Sequence, residues 1–70
     1  MARDIVFQRT ELVPIEVEIE RYGIEDFTVR KTEDGTQINH INYYLARKAD
    51  ETEDDYLERA IDEGLTAIWG

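Results

Sequence analysis

With 70 residues the chain has room for one domain, and 17 Asp and Glu against 8 Lys and Arg give it a formal net charge of −9. Such a field repels nucleic-acid phosphate and anionic membrane surfaces and speeds the approach of basic partners. The chain contains no cysteine, which excludes a disulfide and a thiolate zinc site, and no apolar stretch approaches the roughly 20 residues that span a bilayer.

Met1-Ala2-Arg3-Asp4 lacks the apolar core of a secretory signal, so a cytoplasmic location is expected. A domain this small buries only about 60% of the surface its unfolded chain exposes. Its stability is therefore expected to come from compact packing, a partner or self-association.

In chain order, Ile5-Val6-Phe7 reads as a short first strand. Between Val13 and Tyr22, Ile15, Val17 and Ile19 alternate with Glu16, Glu18 and Glu20. A period of two puts apolar groups on one face and carboxylates on the other, as in a half-buried strand of an antiparallel sheet. Pro14 cannot donate to the ladder and belongs at the start of the strand or on an edge. Phe27 to Lys31 alternates again, and Glu33-Asp34-Gly35-Thr36 follows as a hairpin turn, because Asp-Gly tolerates the positive φ angles such a turn needs.

The return strand starts near Gln37. For residues 41 to 49 two readings stand: a strand with a bulge near His40-Ile41, which the Ile, Tyr and Asn content favours, or a helix beginning near Asn42. Asp50 to Gly64 predicts a helix, with Asp50 and Glu53 as its capping pair and Leu57, Ala60, Ile61 and Leu65 as its apolar stripe. Asp55 and Arg59 are spaced to pair, and Gly64 is placed to end the helix. Leu65 to Gly70 then reads as a last short strand, with Trp69 closing the core. The fold class expected is α+β: an antiparallel sheet of three to four strands with one C-terminal helix packed on one face.

Two acidic rows stand out. Glu16, Glu18 and Glu20 lie about 6.7 Å apart on the solvent face of their strand. Glu51, Asp55, Glu58 and Asp62 fall within an arc of about 60° at 100° per residue of helix. Fixed rows of carboxylates present a basic cleft with the attraction that a phosphate backbone offers; a plain solvated face explains the same pattern. The scarcity of Lys also suits adaptation to high salt. Adjacent Tyr43 and Tyr44 point to opposite faces of a strand, so at least one is expected at the surface as a binding anchor.

Asp50, Thr52 and Asp54 match the first ligand positions of a calcium loop, but Asp55 and Ile61 stand where its Gly and terminal Glu belong, so no metal is expected. His40 is the only histidine, and in a hairpin strand it reads as a surface or interface residue, since a catalytic imidazole needs a nucleophile or carboxylate positioned beside it by the fold. No catalytic residue and no cofactor are expected. The scattered basic residues argue against direct binding of nucleic acid.

In overall profile the chain is similar to small phage-encoded inhibitors, including anti-CRISPR proteins and inhibitors of DNA-repair or transcription enzymes: short, acidic, free of cysteine, with a sheet and one helix. The similarity covers composition and layout and carries no residue motif. It implies a non-enzymatic inhibitor that occupies a basic, nucleic-acid-binding surface of a target protein. Glu16, Glu18, Glu20, Glu51, Asp55, Glu58 and Asp62 would supply the charge, and Tyr43 or Tyr44 the anchor. The alternative is a small homo-oligomeric structural or subunit domain, joined through strand edges or aromatics, whose acidity serves solubility or salt adaptation.

Overall fold

A computed structural model describes residues 4–70. Four strands, β1 (Asp4–Leu12), β2 (Ile15–Arg21), β3 (Asp26–Glu33) and β4 (Thr36–Tyr44), are followed by one helix, α1 (Glu53–Trp69). The sheet is an antiparallel meander in the order β1-β2-β3-β4, so each strand pairs with its sequence neighbour. The α+β reading holds, with four strands and the helix on one face.

The alternation of β2 and β3 sets the core. Register brings Phe7, Ile19, Val29 and Ile41 into one row across the sheet, and Arg21, Phe27 and Tyr43 into another. Val17, Ile19, Phe27 and Val29 are fully buried under Tyr56, Ala60 and Ile68 of α1. The opposite face of the sheet is open and carries the rows Gln8-Glu18-Arg30-His40 and Ile5-Glu20-Thr28-Asn42.

The turn at Asp34-Gly35 has φ of 55° and 83°, the positive pair a tight hairpin demands. The Asp34 N–H also donates to the carbonyl of Pro14 at 3.1 Å, tying the two hairpin ends together; the Val13–Pro14 bond is cis.

Several boundaries differ from the sequence reading. β1 runs to Leu12 because an edge strand needs backbone pairing on one side only, and the polar run Gln8-Arg9-Thr10-Glu11 serves for that. Residues up to Tyr44 are strand, which settles the first half of the ambiguous segment, while 45–52 form the connection to α1. The ladder irregularity lies between Lys31 and Thr32 and leaves Ile38 as the extra residue, not His40-Ile41.

The helix starts later and ends later than expected. Thr52, not Asp50, is the N-cap: its Oγ1 accepts the Asp55 N–H at 3.1 Å. Gly64 is a buried mid-helix residue rather than a terminator, and Leu65 to Trp69 continue the helix instead of forming a strand. A side chain at position 64 would place its Cβ 2.6 Å from Tyr43 Oη and 2.9 Å from Ile19 Cδ1. The glycine is there so that α1 can lie close on the sheet. The helix closes at Gly70, whose N–H reaches Thr66 O at 2.7 Å. Trp69 does not close the core; it is 44% exposed with Lys31 Nζ 4.3 Å above its ring.

Candidate partner-binding surface

The two acidic rows meet different fates. Glu16, Glu18 and Glu20 do share the open sheet face, as alternation requires, but only Glu16 is exposed. β3 pairs with β2 so that Arg30 sits directly across from Glu18. Its Nη1 donates to Glu18 Oε1 at 3.0 Å and also to Glu20, whose side chain is 4% exposed. Gln8 Nε2 donates to the other oxygen of Glu18 at 3.4 Å. Glu18 and Glu20 are therefore tied into a cross-strand network around one guanidinium, and of the three only Glu16 is exposed and without an ion pair among the described residues. Beside this network, Glu20, Tyr22, Thr28, Arg30 and Asn42 line a shallow open depression, where Thr28 Oγ1 donates to Asn42 Oδ1 at 2.8 Å.

Glu51 also leaves the candidate surface. With the helix beginning at Glu53 it lies before the N-cap, and its carboxylate turns in to Arg59, receiving Nε and Nη2 at 2.8 Å each. The hydrogen bonds from Arg59 lower its pKa to about 2. Arg59 thus pairs with Glu51, not with Asp55.

The same end of the molecule holds a feature that periodicity did not show. Tyr56, fully buried, donates its hydroxyl to Leu45 O at 2.8 Å. The guanidinium carbons of Arg21, Arg47 and Arg59 lie 5.4, 5.1 and 5.9 Å from its ring centre, within cation–π range. Glu53 answers two of them, taking Arg21 Nη1 at 2.6 Å and Arg47 Nη1 at 2.5 Å, and these bonds hold its pKa below the usual range. Burial raises the Tyr56 phenol pKa. The sequence signal was there in outline, as arginines at 47 and 59 flanking an aromatic at 56, but Arg21 comes from the end of β2, where strand register sets it opposite Phe27.

Tyr43 and Tyr44 divide as expected of strand neighbours. Tyr43 faces α1: it stacks on Phe27 at 5.5 Å and donates to Ala60 O at 2.7 Å, and desolvation drives its phenol pKa well up. It is a packing residue. Tyr44 is 65% exposed and donates to Glu25 Oε1 at 2.7 Å, a bond that raises its phenol pKa. Glu25 in turn accepts the Arg47 N–H at 2.7 Å, which with Tyr44 lowers its own pKa.

What is left uncompensated is the outer face of α1. Asp54, Asp55, Glu58, Asp62 and Glu63 are all exposed, and none of them makes an ion pair among the described residues. At 100° per residue Asp54, Asp55, Glu58 and Asp62 occupy an arc of about 100°, with Asp54, Glu58 and Asp62 rising in steps of about 6 Å. Asp55, Glu58 and Asp62 were expected here; Asp54 and Glu63 join them. Meanwhile Arg9, Arg21, Arg30, Arg47 and Arg59 are each bound to a glutamate elsewhere. Charge is thus separated: the described arginines are held in ion pairs, and anions face outward from the helix.

Among the described residues no group of three or more His, Asp or Glu is placed to hold a metal ion, and no helix is long and apolar enough to cross a membrane. The molecule defines a class by its architecture alone, a two-layer α+β domain of one antiparallel meander and one acidic helix. No protein-family model, no curated protein and no solved structure matches this chain.

Proposed function

We propose that this chain is a non-enzymatic protein-binding module that docks the acidic outer face of α1 on a basic, nucleic-acid-binding surface of a target protein and so inhibits it. The observation that carries the reading is the charge separation: five exposed helical carboxylates without ion pairs, on a chain whose described arginines are all committed to glutamates. A rigid helix displaying unpaired carboxylates offers Lys and Arg of a partner a high local field at little ordering cost, and releases counterions on contact as nucleic acid does. Asp54, Asp55, Glu58 and Asp62 form the centre of this surface, with Glu63 at its margin. Glu16, on the other face, stands apart from it.

The test is capture of a partner from host lysate by the tagged protein, with and without competing DNA, in parallel for the variant Asp54→Lys/Glu58→Lys/Asp62→Lys and the control Glu16→Lys. A nucleic-acid-binding protein displaced by DNA, lost with the triple variant and kept with the control, is the expected result. Equal capture by the triple variant sinks the reading. Recovery of the bait alone returns the acidic face to solubility or salt adaptation.

A further inference from the structure

The sheet has two edges, and they are not alike. β1 is guarded: it carries Asp4, Arg9 and Glu11 and has register irregularities at two places, devices that keep an edge from pairing with another chain. β4 has neither guard in its second half. From Thr36 to Ala46 there is no Asp, Glu, Lys or Arg, although 36% of the chain is charged. The one irregularity of β4 comes early, at Ile38, and from Asn39 to Tyr44 the ladder to β3 is regular.

The outer side of this strand has no backbone partner among the described residues. The N–H of His40 donates instead to the side chain of Asn39 at 2.8 Å, so it points away from β3. By alternation the groups of Asn42 point outward too. Ile38 and Tyr44 are 49% and 65% exposed.

We propose that β4 is a self-association edge, pairing antiparallel with β4 of a second copy about a two-fold axis at Ile41. Three observations select this occupant and register. First, the strand is self-complementary there: Ile38 faces Tyr44 of the second copy, His40 faces its Asn42, and Ile41 faces Ile41. The remaining pair sets Asn39 against Tyr43; elsewhere apolar side chains meet apolar ones and polar meet polar, as a self-complementary contact favours. Second, the backbone agrees, because His40 and Asn42, whose groups point outward, become the hydrogen-bonded pair. Third, charge complementarity flanks the uncharged strand. Exposed Asp34 precedes it and exposed Lys48 follows it, neither of them in an ion pair among the described residues. Antiparallel pairing lays the acidic end of each copy beside the basic end of the other, at both ends at once. A foreign strand would have no reason to match all three.

The product is one continuous eight-stranded sheet with both helices on the same face, because an axis normal to the sheet keeps inner residues inner. The proposal does not rest on the acidic helix as a docking surface, and reversing the helix charges leaves it untouched.

The absence of cysteine makes the test clean. The expected mass by sedimentation equilibrium is twice 8.2 kDa, falling to the monomer on dilution. Ile41→Cys should oxidise to a covalent dimer, because directly opposed residues of a non-hydrogen-bonded pair stand about 4.5 Å apart at Cα, within disulfide reach. Gln8→Cys on β1 should not. Ile38→Lys/Tyr44→Lys and Ile38→Glu/Tyr44→Glu, both at exposed positions, should each be folded monomers by circular dichroism and should form a one-to-one complex when mixed. A wild-type monomer at every concentration, a dimer that survives in both charged variants, or cross-linking through position 8 rather than 41 would each overturn the proposal.

Discussion

Replacing Gly64 by Ala sets two effects of known size against each other. A mid-helix glycine is disfavoured by about 1 kcal/mol relative to alanine, so at an exposed site the change stabilises. Here the new methyl would stand 2.6 Å from Tyr43 Oη and 2.9 Å from Ile19 Cδ1. Neither neighbour yields easily, since Ile19 is fully buried and Tyr43 is held by Phe27 and by its bond to Ala60 O. Overpacking of this kind costs about 1–3 kcal/mol, and losing the Tyr43 hydrogen bond costs about 1 more. The net expectation is a destabilisation of about 1–3 kcal/mol, read as a lower urea midpoint at unchanged slope and a fall in Tm of roughly 5–20 °C. A double-mutant cycle with Tyr43→Phe isolates the cause, because removing the hydroxyl removes the closest contact. The pair should cost less than the sum of the single changes. A more stable Gly64→Ala protein, or strict additivity with Tyr43→Phe, would refute the close approach of α1 to β4.

Arg30→Met removes the guanidinium that Glu18 and the buried Glu20 share, and is expected to cost about 1.5–3 kcal/mol by urea unfolding; Arg30→Met/Glu20→Gln should recover part of that. The Arg59–Glu51 pair gives a pH signature. The folded-state pKa of Glu51 is lowered to about 2, so its contribution is present above the ordinary carboxylate value and is lost as pH falls from there towards 2. Arg59→Gln should flatten that part of the stability profile. The last turn of α1 contains no basic residue, so the exposed change Thr66→Lys should raise stability by about 0.3–1 kcal/mol at low salt, less as salt is added.

Much of the fold could be read from β2 and β3, because strict alternation fixes which side chains face the core, and the Asp34-Gly35 turn fixes how the next strand returns. The ends of α1 could not. A capping pattern at Asp50 and a glycine at 64 are local signals, whereas Thr52 and Gly70 are used because Tyr56, Gly64 and Ile68 must all reach the sheet. The candidate surface was half legible for a related reason. Alternation places Glu16, Glu18 and Glu20 on one face, but Glu18 and Glu20 are tied up by Arg30, whose position opposite Glu18 depends on strand register. Asp55, Glu58 and Asp62 were found because nothing from elsewhere in the chain folds over the outer face of a surface helix.

The meander also bears on how the molecule is made. Every strand pairs with the one just synthesised, so the contacts of the sheet are local and can form early and fast. The lid comes last: residues 53–69 follow the sheet, and until they emerge Val17, Ile19, Phe27 and Val29 lie bare on one side of it. Nascent sheets with an uncovered apolar face are prone to stick to one another. Asp and Glu outnumber Lys and Arg within residues 4–44, and the repulsion between two such segments of like net charge opposes that contact.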